Sequence, residues 1–161
     1  MKATDYLKTH HREIESLFEQ IEEADGREKK SLFAELAEKF DAHAKIEETI
    51  FYPAGRGVDE DMTLEAYEEH AVTKAAIKKI LKTRVNDETY MAKITVLKEM
   101  IEHHVEEEEE EFFPECEQKL GDEKMQQLGE ELEEAYEKRL GRKPSPRKSA
   151  KGSHGTYAQA S

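Results

Sequence analysis

The stretch HVEEEEEEFFPE at residues 104–115 contains six consecutive glutamates that run into two phenylalanines and a proline. The stretch HAKIEETIFYPA at residues 43–54 lies 61 residues earlier and has the same frame. Each contains a histidine, three further residues, a pair of glutamates, an aromatic pair and a proline. A glutamate run that only faces solvent has no reason to copy that frame. We therefore expect one carboxylate in each stretch to have a distinct role.

The composition favours long amphipathic helices over β-sheet. Charged residues make up 39% of the 161 residues and hydrophobic residues 36%, with only four prolines and eight glycines. No apolar run approaches the ~20 residues of a membrane span, and charged residues interrupt the N-terminal segment where a signal peptide would be apolar. Cys116 is the only cysteine, which excludes an intrachain disulfide and suits a reducing cytoplasm, where we expect the protein.

Acidic and basic residues are unevenly distributed along the chain. Residues 138–161 contain seven lysines and arginines and no acidic residue, so 18 of the 25 basic residues and all 38 acidic residues fall in the first 137. An acidic body repels phosphates, and we expect it to have no nucleic-acid partner. The tail segment KPSPRKSAKGS resembles basic arms that contact the DNA backbone, although such tails are more often solubilising extensions.

Apolar residues recur at helical spacing in four long segments, which predicts an all-α, up-down-up-down four-helix bundle. The predicted helices span about residues 3–25, 27–52, 62–85 and 88–118, and Gly26 is the expected stop of the first. A break at Gly121 precedes a shorter helix. We predict the bundle at residues 1–120, an accessory helix at 121–140 and a disordered basic tail at 141–161.

The helical stripes that carry the apolar residues also carry histidine and glutamate. Positions 33, 36, 40, 43, 47 and 50 share one stripe of the second helix, which places His43 and Glu47 inside the apolar seam. Positions 94, 97, 101, 104, 108 and 112 do the same for His104 and Glu108, and leave most of the glutamate run to solvent. In the first and third helices, the stripes 7-11-14-18-21 and 67-70-74-77-81 turn one histidine each inward: His11 and His70.

A histidine or glutamate in an apolar stripe has more than one explanation. A single inward histidine is usually a core residue with a satisfied hydrogen bond, whereas a buried carboxylate is costly unless it is paired or bound to a cation. Four inward histidines and two glutamates therefore favour a metal site over a metal-free acidic bundle. Mixed imidazole and carboxylate ligands suit Fe, Mn or Zn, and two carboxylates able to bridge suit two ions better than one.

Four motifs carry a resemblance to a known family: HHREIESL (10–17), HAKIEETIFYP (43–53), EEHAVTKAAI (68–77) and HVEEEEEEFFP (104–114). On these motifs, which cover about residues 3–118, the chain resembles the hemerythrin-like, or HHE cation-binding, family. The resemblance implies a four-helix bundle holding two non-haem iron ions, bridged by carboxylates and an oxo or hydroxo group. It implies these metal ligands: His11, His43, Glu47, His70, His104 and Glu108.

The sequence departs from the oxygen-carrying members of that family. Those proteins have a second histidine one turn after the ligand His70, where this chain has Lys74, and their fourth-helix carboxylate is spaced differently. The chain is more similar to the bacterial branch. Water or Tyr67, one turn before His70, is the candidate for the missing ligand, although Tyr67 also fits a plain core position. His10 stands where relatives often have aspartate, and His103 is interpreted as a flanking residue.

Two classes of function fit such a centre. The first is a protein that binds or senses O₂, iron or nitric oxide at the His and Glu ligands. The second is a small redox enzyme that decomposes peroxide or reduces nitric oxide. His103 and Lys74 are candidate acid or base residues for the enzyme, and a Lys74 ammonium that reaches inward would favour anions. In either class we expect the partners to be small diatomic ligands or peroxide.

Overall fold

The computed structural model describes residues 1–141, and every regular element in that range is helical. Six α-helices follow one another along the chain: α1 (Ala3–Glu23), α2 (Gly26–Ile46), α3 (Tyr52–Gly55), α4 (Glu60–Leu81), α5 (Tyr90–Glu107) and α6 (Phe113–Arg139). The helix α1 packs against α2 and α6, and α4 packs against α5. The prediction of an all-α helical bundle is confirmed.

Two of the helix starts are fixed by aspartate caps. Asp25 accepts a hydrogen bond from the backbone N–H of Glu28 at the start of α2, and Asp59 accepts one from Met62 at the start of α4. Gly26 is consequently the first residue of α2, and its predicted role as the stop of α1 is wrong. The chain turns at Ala24, whose backbone is extended, before the cap.

A π-helical turn follows α2 and another follows α5. They span Glu47–Phe51 and Glu108–Phe112, so the two repeated stretches also share a backbone distortion. Pro53 and Pro114 come directly after these turns, within the first turn of the following helix. Proline collides with the carbonyl four residues before it in a regular α-helix, and a wider turn relieves that collision.

The π turns change which later side chains face the core. Ile50, which a continuous helix would turn inward, is only half-buried, whereas Phe51 and Tyr52 are fully buried. Phe112 and Phe113 are buried in the same way after the second turn. The extra residue in each π turn moves the inward face along the chain, so two adjacent aromatic residues reach the interior.

The inward face of α4 lies one residue away from the predicted stripe. Its buried residues are Thr63, Ala66, His70, Thr73, Ile77 and Ile80. Tyr67 is only half-buried, and Leu81 is 53% exposed, so the expectation that Leu81 faces inward is wrong. Threonine and alanine on the buried face carry little hydrophobic signal, and a spacing of three and four residues can begin at either of two neighbouring positions.

The core is divided into two apolar clusters with a polar layer between them. One contains Leu7, Ile46 and Phe112, and the other contains Phe18, Leu36 and Leu97 among its members. On α1, for instance, Leu7 belongs to the first cluster and Ile14 to the second, with the buried pair His10 and His11 between them. The bundle therefore holds its polar side chains in one layer, closed above and below by apolar packing.

The last helix bends and then covers one side of the bundle. Gly121 interrupts α6 with a φ of 79°, a conformation that favours glycine, at the predicted break. Beyond it Leu128, Leu132 and Tyr136 are buried, at the spacing of one face of a helix. A side chain at Gly129 would collide with the carbonyl oxygen of Met1. The predicted basic tail lies outside the described residues, apart from its first residue.

None of the helices in residues 1–141 combines the length and the apolar character that crossing a membrane requires.

Candidate metal centre

The structure brings together all six side chains that the sequence suggests as metal ligands. His11 comes from α1, His43 from α2 and His70 from α4, and each is at most 3% exposed. His104, at the end of α5, is 4% exposed. Each of the two glutamates, Glu47 and Glu108, begins a π turn, and both are almost completely buried. These six side chains are called the inner donors below.

The inner donors form two groups that share both glutamates. The first group is His11, His43, Glu47 and Glu108, and the second is Glu47, His70, His104 and Glu108. Within each group, one nitrogen or oxygen atom per residue lies within 4.8 Å of those of the others. His43 and His70 both place Nε2 3.2 Å from Oε2 of Glu47. His11 and His104 place Nε2 3.3 Å from Oε2 and Oε1 of Glu108, respectively.

A tyrosine that the sequence analysis did not single out completes the second group. The hydroxyl of Tyr52 donates a 2.7 Å hydrogen bond to Oε1 of Glu108 and lies 3.0 Å from Nε2 of His70. It is also 3.2 Å from Oε2 of Glu47. Tyr67, the tyrosine considered from the sequence, donates instead to the backbone carbonyl of Glu48 at 2.7 Å. In the sequence, Pro53 is the residue that indicates a π turn before it, and that turn brings Tyr52 inward.

The histidine nitrogens that face away from the centre have their own partners. Nδ1 of His11 is 2.8 Å from Oε1 of Glu109, and Nδ1 of His104 is 3.2 Å from Oε1 of Glu69. Such outer carboxylates fix the orientation of a histidine ring and its tautomer in metal sites. The sequence indicates this contact of Glu109 with His11 only through the position of Glu109 next to Glu108 in the glutamate run.

The other two histidines have different outer partners. Nδ1 of His43 faces Nδ1 of His10 at 3.2 Å, and Nδ1 of His70 lies 3.6 Å from Oε1 of Glu48. Lys74 holds the carboxylate of Glu48 with contacts of 2.9 and 2.8 Å. Its ammonium is therefore occupied at Glu48, and the expectation that Lys74 could place a free positive charge at the centre is not met.

Neighbouring carboxylates raise the pKa of three of the four inner histidines: His11, His70 and His104. Burial alone would lower the pKa of His11, but the contacts of its ring nitrogens with the carboxylates of Glu108 and Glu109 outweigh burial and raise that pKa to about 9. Burial likewise opposes protonation of His104, yet Glu108 and Glu69 hold its pKa well above the usual value. Protons on these rings offset the buried negative charge, which is a role that metal ions can take over.

The opposite shift is found where histidines face each other. Burial, with the nearby His43, lowers the pKa of His10 to about 3. Burial also lowers the pKa of His43 itself. Burial and Glu108 would raise the pKa of Glu47, but His43 and His70 hold it at about 2. The layer therefore combines ionised carboxylates with a neutral His43, whereas His11 and His104 give up a proton when they bind a metal ion.

Several buried atoms of the inner donors have no hydrogen-bond partner within the described chain. They are Nδ1 of His70, Oε1 of Glu47, Nε2 of His11 and Oε2 of Glu108, of which the last two form only an ion-pair contact of 3.3 Å with each other. Unpaired polar atoms are costly in an apolar interior, and a cation among them would remove that cost. Imidazole nitrogen and carboxylate oxygen are suitable donors for first-row divalent metals. The chemistry of these residues thus fits a metal ion.

Outside the inner donors, the described chain offers one further group of metal-binding character. It consists of Glu69, His103 and Glu107. His103 is 65% exposed at its side chain and lies 3.3 Å from Oε1 of Glu107, so the structure places it outside the centre as expected for a flanking residue.

A sequence model described as the hemerythrin HHE cation binding domain matches residues 2–116. The chain belongs to this family. The four motifs quoted above and all six inner donors lie within the matched region.

Three mycobacterial proteins are similar to this chain along most of its length. Uncharacterized proteins of Mycobacterium tuberculosis (Rv2633c) and Mycobacterium bovis (Mb2666c) are each 28% identical over 116 residues, which cover 71% of this chain and 71% of theirs. A crystal structure of an HHE cation binding domain-containing protein, the Rv2633c homolog from Mycobacterium kansasii, superposes with a TM-score of 0.79. That protein is 29% identical, and the match covers 88% of each chain.

Proposed function

We propose that this chain is a non-haem di-iron protein whose centre takes O₂, nitric oxide or peroxide. The observation that carries the proposal is the pair of donor groups that share Glu47 and Glu108. A carboxylate common to two groups can bridge two metal ions, and each group also contributes two histidines of its own. A single ion would leave half of these buried donors unused, at a cost in unpaired polar atoms.

Mixed imidazole and carboxylate ligands suit iron, manganese and zinc. Of these three metals, iron best matches the inner donors. Bundles that hold two iron ions commonly use glutamates and histidines projecting inward from facing helices. The centre also contains the phenol of Tyr52, an oxygen donor within 2.7 Å of Glu108. A phenolate is a hard anionic ligand that stabilises ferric iron, and a neighbouring cation lowers the pKa of such a hydroxyl. In the metal-free chain burial holds the pKa of Tyr52 well above its usual value.

A small molecule has a route to the first donor group. A surface cavity of about 280 Å³ lies between α1 and α5, and His11 and Glu109 are among its lining residues. Phe18, Ile101 and Val105 contribute an apolar wall. O₂ and nitric oxide are small and weakly polar, so such a lining suits their passage.

Iron would supply redox chemistry and open coordination positions, while the chain's own residues orient and screen the centre. Glu109, Glu69 and Glu48 orient three of the histidines, and His10 faces the fourth. The apolar clusters on both sides exclude bulk water. Tyr52 is the residue best placed to hold or release a proton at its hydroxyl when a cation binds.

The second candidate is a small redox enzyme that decomposes peroxide or reduces nitric oxide. Tyr52 favours it, because an anionic oxygen ligand promotes the ferric state and disfavours reversible carriage of O₂. We expect reduced, iron-loaded protein to oxidise in air without binding O₂ reversibly. Release of O₂ on removal of the gas from solution, followed through the optical spectrum, would contradict this and favour a carrier.

Metal analysis of protein purified from iron-replete cells tests the proposal directly. We expect about two iron ions per chain, as in other bundles with paired carboxylates. Mössbauer spectra then decide whether the ions are coupled. A reproducible value near zero with native helicity retained would refute the di-iron proposal. Turnover of hydrogen peroxide by the iron-loaded protein separates the two candidates.

We further propose a reducing cytoplasm as the location. Cys116 is the only cysteine in the sequence and is a free thiol, which suits a reducing compartment. The division into a bundle at 1–120, an accessory helix at 121–140 and a basic tail stays a prediction, with limited proteolysis as its test.

A further inference from the structure

The group of Glu69, His103 and Glu107, called the outer cluster, lies on the surface beside the inner donors. Its three residues each offer one ligand atom within 4.8 Å of the others. Glu107 and Glu69 are partly exposed, with 30% and 23% of their side chains accessible, so ions from solvent can reach them. A histidine between two carboxylates is a donor set for a divalent cation and not only an acidic patch.

A cleft connects the outer cluster with the inner donors. It has a volume of about 70 Å³, and its lining includes Glu69, Glu107, His104 and Glu108. Glu69 belongs to both places, since it is part of the outer cluster and its Oε1 lies 3.2 Å from Nδ1 of His104. A cation in the outer cluster would therefore be one side chain away from an inner donor.

The inner end of the cleft points to a ligand independently of the outer charges. Glu108 lines the cleft and is only 2% exposed, and its Oε2 makes no hydrogen bond and has only the 3.3 Å ion-pair contact with Nε2 of His11. Glu65 and Glu111 add two more carboxylates to the lining. Repulsion among these carboxylates is relieved when a cation binds.

We propose that the outer cluster captures a divalent cation from solvent and passes it through the cleft to the inner donors. The cation at issue is Fe²⁺, and the inference rests on the proposed function in one respect, namely that the inner donors bind metal. The outer cluster is then a loading site. It speeds the arrival of metal and leaves the final number of bound ions unchanged.

The test is the rate at which metal-free protein takes up Fe²⁺ under anaerobic conditions, measured by stopped-flow absorption. Glu107→Gln removes a carboxylate from the outer cluster. Its matched control, Glu110→Gln, removes one from the same glutamate run but on the side that lines the cavity with α1. We expect Glu107→Gln to slow loading by about ten-fold, because electrostatic steering changes association rates on that scale. The control should stay within about two-fold of the unmodified protein.

Both variants should reach the same final iron content, and the rate of the unmodified protein should fall more steeply with salt than that of Glu107→Gln. Equal loading rates for Glu107→Gln and Glu110→Gln would overturn the proposal. Glu69 is left intact because it also orients His104.

A direct binding measurement separates this inference from the di-iron proposal. Mn²⁺ added to iron-loaded protein and followed by electron paramagnetic resonance should reveal one further, weak site that Glu107→Gln abolishes and Glu110→Gln retains. If the unmodified protein binds no iron, the di-iron proposal fails, and Mn²⁺ titration of the metal-free chain still tests the outer cluster. Mn²⁺ binding that is the same in both variants would refute the outer site.

Discussion

The two halves of the bundle share a frame of histidine, glutamate, π turn and aromatic pair, and the aromatic pairs differ at one residue. Glu47 corresponds to Glu108 and the π turns correspond, but Tyr52 of the first half stands where the second half has Phe113. The hydroxyl of Tyr52 reaches the donor group of His70 and His104, 3.0 Å from Nε2 of His70. The ring of Phe113 stacks instead on the ring of His11, at 5.9 Å between centroids and an angle of 10°.

This difference makes the two donor groups chemically unequal. The group of His70 and His104 contains a polar oxygen, whereas the group of His11 and His43 meets an apolar ring. A duplicated frame thus supplies two similar sets of imidazole and carboxylate, and a single hydroxyl distinguishes them. We expect two metal ions bound there to differ in affinity and in spectrum.

The largest effect should come from a residue that both groups share. Glu108→Ala removes a carboxylate from each group, so iron content should fall from about two per chain to below about one. Glu110→Ala is the control, because Glu110 belongs to neither donor group and lines the surface cavity. Metal analysis of both variants measures the difference. Equal iron in the two would mean that the glutamate run is only a solvated acidic face.

The next effect concerns the residue that breaks the repeat. Tyr52→Phe should abolish any phenolate-to-iron absorption and weaken one of the two ions by at least about ten-fold, the scale of losing a partner at a metal site. Tyr67→Phe is the matched control, since its ring lies 5.1 Å from that of Tyr52 but its hydroxyl bonds the Glu48 carbonyl. Optical spectra and metal competition titrations measure both. Identical spectra in the two variants would place Tyr52 outside the coordination sphere.

A smaller effect is expected from the outer partner of one histidine. Glu109→Gln weakens the hold on His11, whose Nδ1 lies 2.8 Å from that carboxylate, and should lower metal affinity by about ten-fold. Glu106→Gln is the control, as Glu106 lines the same cavity and is not an inner donor. If both variants lose affinity equally, loss of charge and not orientation of His11 is responsible.

The metal-free protein should lose stability as the pH rises. The pKa of His11 is raised from 6.5 to about 9, so its protonation contributes stability that is fully present below pH 6.5 and is lost as the pH rises through 9. His104 acts in the same direction. Thermal unfolding of metal-free protein across this range measures the loss, and His11→Gln should flatten the profile. A melting temperature that rises with pH would contradict this.

The smallest effect should follow from Lys74→Gln. Its ammonium is held by Glu48 at 2.8 Å and does not face the donor groups, so azide affinity of the iron-loaded protein should change by no more than about two-fold. Spectroscopic titration with azide decides it. A large drop would show that Lys74 reaches the anion after all.

The sequence predicts the helices and the identity of the six converging side chains because both depend on spacing within a helix. His43 and Glu47 are one turn apart, and so are His104 and Glu108, so each pair must share a face. Spacing alone does not predict the π turns, which move Tyr52 and Phe113 inward. Their presence follows from the backbone geometry that Pro53 and Pro114 impose on the preceding turn. Contacts between distant segments, such as Glu69 with His104, depend on how helices pack and carry no local signal.

The contact between the last helix and the donor layer extends the unit that must fold together. His10, which faces Nδ1 of His43, is stacked on the ring of Tyr136 at 4.1 Å, with Tyr6 edge-on at 4.5 Å. Tyr136 lies beyond the break at Gly121. A chain that ended at Gly121 would keep every inner donor but would expose His10 to water. The ring of His43 would then no longer contact a buried histidine. The boundary of the functional unit is therefore set by solvent exclusion and lies beyond Glu108, the last of the inner donors along the chain.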